Sequence, residues 1–252
     1  MRITGYDSLG CSLVVNPGSL KINLKGDFEL KLGERWCAGK FVNGKYVRCK
    51  EKKYPYCDDC KPFDPCAVCK GKCLKEKMEC AFPHSIYLAL FSPDVLKVGV
   101  TKSERLVDRL KEQGADLGVE IARCENGMVA RLIESKIAEL VGDRVSTRVK
   151  IKSLTQKPNM NVWEGALLTF GRIGDVMKFD YFDKPLEREP LPLSPTEYSV
   201  IAGFGIGCKG NIFVFERFGI LYALDLKELI GFDLVESNEI LDGHAQSSID
   251  FF

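Results

Sequence analysis

Long apolar runs are missing from this chain of 252 residues, in which no eighteen consecutive apolar residues occur. That absence excludes a conventional membrane-spanning helix, so we expect no membrane partner. The opening residues, Met1-Arg-Ile-Thr-Gly-Tyr-Asp7, also lack the apolar centre of a secretory signal. We therefore expect a cytoplasmic protein in a reducing compartment, where paired cysteines bind metals more often than they form disulfides.

A strong charge of either sign is also absent, because 36 Lys and Arg oppose 35 Asp and Glu. The net charge of +1 does not favour nucleic acid, so any surface for it must be local. Between Lys40 and Cys80 there are eleven basic and six acidic residues. This surplus suits phosphate contacts, although a solvated surface or a protein-binding zinc module would show it too.

Cysteine, by contrast, is abundant and unevenly spread. Three of the 11 cysteines are isolated: Cys11, Cys124 and Cys208. The other eight lie within forty-four residues: Cys37, Cys49, Cys57, Cys60, Cys66, Cys69, Cys73 and Cys80. Two of the spacings are C-x-x-C, which lets both thiolates reach one ion. Eight thiolates would complete two tetrahedral sites, so we expect two structural Zn²⁺ ions.

The sequence leaves the division of these ligands open. The simplest division gives Cys37, Cys49, Cys57 and Cys60 to one ion, and Cys66, Cys69, Cys73 and Cys80 to the other. His84 is a competing ligand for the second set, and the two sets could also interleave. Structural free cysteines, disulfides and an iron–sulfur cluster are the alternatives. A metal is favoured because the segment is too polar to fold around a core of its own.

Hydrophobic patterning predicts an α+β fold with five segments. Residues 1–35 are an N-terminal β segment and residues 36–84 the cysteine-rich zinc-binding region. Residues 85–183 form an α/β core, and residues 184–195, with four prolines, a stiff linker. Residues 196–252 form a small C-terminal β unit with an acidic tail from Asp242.

The core is predicted in most detail. Strands at 86–91 and 96–100 form a hairpin, and a helix that ends at Gly114 follows them. Residues 119–122 are a third strand. A second helix spans about Gly127 to Val141, since its apolar residues recur at the helical period.

The first hairpin strand begins at Ser85-Ile-Tyr87 and the second contains Lys97-Val-Gly99, while Arg109 and Glu134 lie on the two predicted helices. With these residues the core resembles the GIY-YIG nuclease domain, in which a two-strand hairpin precedes a helix with an arginine and a helix with a metal-binding glutamate. Ser85-Ile-Tyr87 stands at the GIY position, and Lys97-Val-Gly99 stands at the YIG position with lysine replacing tyrosine. Arg109 and Glu134 match the helix arginine and the glutamate.

The resemblance implies site residues for phosphodiester cleavage. Tyr87 and Lys97 would flank the attacking water or the scissile phosphate. Arg109 would bind phosphate, and Glu134 would hold Mg²⁺ or Mn²⁺. The replaced tyrosine also fits a scaffold that kept the fold and lost hydrolysis.

A second resemblance covers most of the chain. A cysteine-rich segment precedes Lys97-Val-Gly-Val-Thr101, Arg109-Leu-Lys-Glu-Gln-Gly-Ala115 and a late Gly205-Ile-Gly-Cys-Lys-Gly210. This order is similar to a prokaryotic zinc-cysteine family catalogued as a domain of unknown function. That family implies no activity.

A basic stretch independent of these resemblances supports nucleic acid. No acidic residue occurs from Arg144 to Trp163. Arg148, Lys150 and Lys152 alternate with apolar residues, which predicts a strand with all three cations on one face. A solvated edge strand would show the same pattern.

Three functions are consistent with these patterns. The first is a zinc-stabilised nucleic-acid-binding protein that cleaves phosphodiesters. The second is a non-catalytic factor that binds RNA, the ribosome or DNA on the same fold. The third is a protein-interaction adaptor that uses the C-terminal β unit and the acidic tail.

Overall fold

The computed structural model describes residues 1–16, 20–62, 66, 69 and 80–235, and its fold is α+β, as predicted. The strands are β1 Arg2–Asp7, β2 Ser12–Asn16, β3 Leu20–Asn23, β4 Gly26–Arg35, β5 Lys40–Val42, β6 Lys45–Val47, β7 His84–Phe91, β8 Val95–Lys102, β9 Leu117–Cys124, β10 Met177–Lys178, β11 Leu191–Leu193, β12 Val200–Lys209, β13 Ile212–Arg217, β14 Ile220–Asp225 and β15 Phe232–Leu234. The α-helices are α1 Leu106–Gln113, α2 Gly127–Val141, α3 Thr147–Lys152 and α4 Met160–Phe170. Within the described ranges, no helix has the length and apolarity needed to cross a bilayer.

Residues 1–62 and 190–252 make up the first of two units. Its sheet has the strand order β11-β14-β13-β12-β4-β15-β1-β2-β3. The N-terminal and C-terminal segments, predicted to be separate, are thus neighbours, because β4 pairs with β12 and β15. Residues 191–193 of the predicted linker are a strand of this sheet, paired with β14. The predicted acidic tail from Asp242 lies outside the described residues.

The larger apolar core among the described residues of this unit draws on several strands. Its side chains come from β1 and β2 at one end of the strand order and from β13 and β14 at the other, with those of β4 and β12 between them. Phe28 packs edge-on against both Phe213 and Phe215. A disulfide between Cys11 and Cys208, with Cα atoms 5.4 Å apart, joins two cysteines that are isolated in the sequence.

Residues 63–189 make up the second unit, and its sheet has the order β10-β9-β7-β8. The predicted hairpin is confirmed as β7 and β8, and the third strand as β9. Helix α1 ends at Gly114, whose φ of 81° is left-handed. Helix α2 has its predicted bounds, and the Asn126 side chain caps its first turn.

Strand β7 is buried on both of its faces. Ile86, Leu88 and Leu90 lie in a core with residues of α2 and α4. The alternate residues, Tyr87 and Ala89 among them, lie in a second core with residues of α1. The candidate catalytic tyrosine therefore faces the helix that carries Arg109.

The predicted strand through Arg148, Lys150 and Lys152 is wrong, because these residues form helix α3. The Ser146 hydroxyl accepts a hydrogen bond from the Val149 N–H and caps the helix. The pattern contains two apolar residues, Val149 and Ile151, and such a short alternation fits a helix as well as a strand. It was therefore too short to distinguish the two structures.

Candidate metal centre and candidate catalytic cluster

Four of the predicted zinc ligands converge in the first unit. Cys37 follows β4, Cys49 follows β6, and Cys57 and Cys60 lie in the next loop. Their four Sγ atoms all lie within 4.8 Å of one another. Cys37 is 0% exposed, and Cys57 and Cys60 are nearly as buried. The loop holds its C-x-x-C pair in a turn, because the N–H of Cys60 and that of Lys61 both donate to the Cys57 carbonyl.

These distances fit a tetrahedral zinc ion. Sulfur ligands at about 2.3 Å from the ion stand about 3.8 Å from one another. The Cys57 Sγ lies 3.6 Å from the Cys37 Sγ and 3.8 Å from the Cys49 Sγ. The four thiols can therefore hold one zinc ion, and they complete its coordination without a water or substrate position.

The backbone prepares Cys37 to bind as a thiolate. Its Sγ accepts hydrogen bonds from the N–H of Cys57 and from the N–H of Gly39, at 3.3 and 3.4 Å. Burial alone would raise the pKa of the Cys37 thiol, but these donors and the neighbouring Cys57 and Cys60 thiols together outweigh it, and the pKa is lowered. At Cys60, burial raises the pKa of the thiol.

Arg2 holds the cysteine loops to the sheet, a role that no sequence pattern indicates. Its Nη1 donates to the carbonyl oxygens of Cys37 and Cys49, at 3.0 and 2.6 Å. The guanidinium also forms a two-bond ion pair with Asp233. Arg2 is 2% exposed, so one buried side chain links two ligand segments to β1 and β15.

The second predicted zinc set is only partly described. The Cys69 N–H donates to the Cys66 carbonyl at 3.3 Å, as expected for a C-x-x-C turn. The Cys80 Sγ lies 3.7 Å from Asn126 Oδ1. Cys73 lies outside the described residues, so a second zinc site stays a prediction.

His84, predicted as a competing ligand, packs inside the second unit. Its Nδ1 lies 2.8 Å from the Phe82 carbonyl oxygen, and its ring stacks on the Phe82 ring. A Cβ at Gly127 would lie 2.6 Å from His84 Nε2, so glycine is needed where α2 begins. These contacts give His84 a packing role, and its role as a ligand stays a prediction.

Tyr87 is the centre of the candidate catalytic cluster. The side chain is 1% exposed, and its hydroxyl accepts a hydrogen bond from Gln113 Nε2 at 2.6 Å. Burial raises the pKa of Tyr87, although the nearby Arg109 and the bond from Gln113 act in the opposite direction. Gln113 was not predicted as a site residue, but it stands four positions after Arg109 and so shares its helix face.

Arg109 and Glu134 are both close enough to act electrostatically on the Tyr87 hydroxyl. Arg109 also lies 3.4 Å from Glu112 and is 45% exposed, so its guanidinium reaches both the cluster and solvent. Lys97 lies on the same face of the sheet, because it pairs with Ala89 while Tyr87 pairs with Gly99. Arg109 and Glu134 thus act electrostatically on Tyr87, Lys97 lies on the same face of the sheet, and the catalytic roles of all four residues stay predictions.

Gly99 makes room for this arrangement. A Cβ at position 99 would overlap the hydroxyl oxygen and the ring of Tyr87. The glycine in Lys97-Val-Gly99 is therefore required by the tyrosine across the hairpin. Tyr87 in the first half of the motif and Gly99 in the second are thus expected to occur together, because the tyrosine ring occupies the space of a side chain at position 99.

A second polar network, which the sequence did not predict, lies at the start of β7. Glu120 is 5% exposed and accepts a hydrogen bond from the Ser85 hydroxyl. It also accepts two hydrogen bonds from Arg123, at 2.8 and 2.6 Å. The Arg123 bonds hold the pKa of the Glu120 carboxyl below its usual range, although burial opposes them.

The predicted nucleic-acid-binding cations lie on and before α3. Arg148 and Lys152 are exposed and stand four positions apart, so they share a helix face. Lys150 points elsewhere, with its Nζ 6.0 Å from the centre of the Phe91 ring. Arg144 is 93% exposed and its Nε lies 3.9 Å from Asp143. The helix therefore presents two of its three cations together.

In comparison with known proteins, a family model described as "Protein of unknown function (DUF2797)" matches residues 21–190. No curated protein and no solved structure matches the chain.

Proposed function

The chain belongs to the family described as proteins of unknown function (DUF2797), and from its own residues we propose a zinc-stabilised nucleic-acid-binding protein that cleaves phosphodiesters. The observation that carries this proposal is that Arg109 of α1 and Glu134 of α2 both act electrostatically on the buried Tyr87 hydroxyl of β7. The GIY-YIG resemblance assigned these three residues to one site from motif positions alone.

Each side chain has a chemical role in this proposal. Arg109 binds a phosphate through its planar guanidinium, which matches two phosphate oxygens. Tyr87 would first lose its hydroxyl proton to solvent, and the resulting phenolate, stabilised by the hydrogen bond from Gln113, would take the proton of the attacking water. Glu134 would hold Mg²⁺ or Mn²⁺. Mg²⁺ is commonly bound by one or two carboxylates together with substrate phosphates. A divalent ion there would supply positive charge to the phosphate oxygens.

The zinc site is structural in this proposal. Four thiolates complete the tetrahedral coordination of a zinc ion and leave no position for a reacting water. The basic residues near these cysteines, together with Arg144, Arg148 and Lys152, are the surfaces proposed to contact the phosphate backbone.

Cleavage of labelled DNA and RNA, with Mg²⁺ and with Mn²⁺, tests the enzyme. We expect Glu134→Gln and Arg109→Gln each to lower the rate by roughly 100-fold or more, as loss of a charge that stabilises the transition state does. Glu139→Gln is the matched control, because Glu139 is exposed on the same helix. Cleavage that continues unchanged in Glu134→Gln would refute the assignment.

A second candidate function is binding without cleavage, and the burial of Tyr87 favours it. A hydroxyl on a side chain that is 1% exposed does not meet bulk water, and burial raises its pKa. Lysine at position 97, in place of the motif tyrosine, points the same way. This candidate predicts salt-sensitive affinity for RNA or DNA and no turnover with either metal.

Charge reversal on α3 tests the binding surface for both candidates. Arg148→Glu and Lys152→Glu should each weaken binding across sequences and reduce the salt slope, since both cations face solvent on one side. Lys150→Glu should have a smaller effect because its Nζ lies over the Phe91 ring. Lys227→Glu, at an exposed position of the other unit, is the control. Equal affinity in all four variants would remove α3 from the interface.

A further inference from the structure

The first unit contains a cavity of about 350 Å³ that neither the zinc site nor the proposed cleavage uses. Its floor is aromatic: Phe215 and Tyr222 are cross-strand partners on β13 and β14, and their rings stack with centres 5.4 Å apart. Phe28 packs edge-on against Phe215 from the core. These ring contacts fix the aromatic floor of the cavity in the absence of a ligand.

Hydrogen-bonded strands also fix the walls. Leu193 on β11 pairs with Leu224 of β14, and Ile201 on β12 pairs with Leu30 of β4. The segment between β11 and β12 forms a turn, in which the N–H and the hydroxyl of Ser199 both donate to the Thr196 carbonyl. The volume lies within the usual range for small-ligand sites, about 300 to 1,000 Å³.

Arg217 is the one charged residue among the eleven described residues that line the cavity. Its guanidinium carbon lies 5.2 Å from the centre of the Phe218 ring, and no described carboxylate pairs with it. The one acidic residue in the lining segment 193–202, Glu197, accepts a hydrogen bond from the Arg35 N–H and lies 3.8 Å from Lys52. The cavity therefore offers a positive charge over apolar walls.

A tight hairpin turn holds Arg217 at the rim. Arg217 pairs with Ile220, so Phe218 and Gly219 form a two-residue turn, and both have positive φ, at 51° and 75°. Left-handed backbone is strained for a bulky side chain such as Phe218, which is also 88% exposed. The turn therefore places Arg217 at the end of β13, beside the cavity.

We propose that this cavity binds a small organic monocarboxylate with an apolar, ring-sized body. The guanidinium fork of Arg217 would take the carboxylate, and the body would lie on Phe215 and Tyr222. A single lining cation matches one negative charge better than a doubly charged phosphate. The hydroxyl of Tyr222, another lining residue, adds a neutral donor.

Calorimetric titration of the zinc-loaded full chain with 4-phenylbutyrate tests the proposal, with 4-phenylbutanamide as the uncharged probe of the same shape. We expect the acid to bind at least about tenfold more tightly than the amide, because a charge-assisted hydrogen bond replaces a neutral one. Equal affinity for the two probes in the native chain would overturn the proposal, as would no binding of the acid at millimolar concentration.

Two variants locate the binding. Arg217→Gln should weaken the acid about tenfold and leave the amide unchanged. Ala202→Leu, which fills part of the cavity, should weaken both probes. Arg172→Gln, at an exposed position of the other unit, is the control and should change neither. Undiminished binding of the acid by Arg217→Gln would overturn the proposal, and circular dichroism melting of each variant verifies that it is folded.

Discussion

Arg2 and Asp233 are 231 positions apart and form a two-bond ion pair with N···O distances of 2.9 and 3.0 Å. The arginine is buried and also bonds the carbonyls of Cys37 and Cys49. A residue from β1 and a residue from β15 thus support the metal site together.

Arg2→Met should therefore destabilise the first unit and weaken zinc binding. Removal of Arg2 takes a donor from the Cys37 and Cys49 carbonyls and two bonds from Asp233, which keeps its bond to Arg48. The loss of a partner by a buried polar group costs about 1 to 3 kcal/mol. Arg48→Met is the matched control: Arg48 bonds the same Asp233, but it is 57% exposed and should cost less than about 1 kcal/mol. Denaturant unfolding and chelator competition measure the two effects, and equal losses in both variants would contradict this account.

Zinc should be lost selectively from the four-cysteine group. Cys60→Ser removes one of the four ligands and should lower the zinc content by one ion per chain, measured by elemental analysis. Cys124→Ser, at a free cysteine outside the group, should leave the content unchanged. Any zinc that remains in Cys60→Ser reports on the predicted second set. Unaltered zinc content in Cys60→Ser, together with unaltered resistance to a chelator, would show that Cys60 does not ligate an ion.

Gly99→Ala should destabilise the second unit by about 1 to 3 kcal/mol, since its methyl group would force Tyr87 to move. Gly165→Ala is the opposite control. Gly165 lies in α4, and a Cβ added there would meet no atom within 4 Å, so alanine should stabilise the helix by up to about 1 kcal/mol. Denaturant unfolding measures whether each substitution lowers or raises the free energy of unfolding. A neutral Gly99→Ala would mean that Tyr87 is not fixed as described.

The Glu120 network should make stability depend on pH. Arg123 and Ser85 lower the pKa of Glu120 in the folded chain from its ordinary 4.5. The stabilisation is therefore fully present above about pH 4.5 and is lost as the pH falls through the lowered value. Glu120→Gln should be less stable than the native chain by about 1 to 2 kcal/mol at pH 7, and the difference should shrink at pH 3. A constant difference across this range would contradict the assignment. We expect acid to remove zinc from the native protein and from Glu120→Gln equally. The difference between their free energies of unfolding therefore reports on Glu120.

The sequence predicted the hairpin, α1 and α2 of the second unit because their signals are local, but it did not predict α4. The hairpin, the end of α1 at Gly114 and both bounds of α2 follow from periodicity and capping within about fifteen residues. Helix α3 was missed because six residues carry too little period. The disulfide and the Arg2–Asp233 pair join residues about two hundred positions apart, and nothing near either residue signals its partner.

The candidate site divides in the same way. Motif positions predicted Tyr87, Arg109 and Glu134, and C-x-x-C spacing predicted the cysteine group. Gln113 could have been predicted from its four-residue spacing after Arg109. Arg217 could not, because the cavity beside it forms only when β11, β12, β13 and β14 come together.

The strand order has a consequence for synthesis of the chain. Strand β4 ends at Arg35, but its partner β12 begins at Val200. At ribosomal rates, β12 follows roughly 10 to 30 s later. The second unit is complete in that interval, while both long edges of β4 wait unpaired. Such an edge invites pairing with other chains, and the metal-binding cysteines just after β4 are available early to hold it. A nascent chain deprived of zinc should therefore be most prone to aggregation before β12 is made.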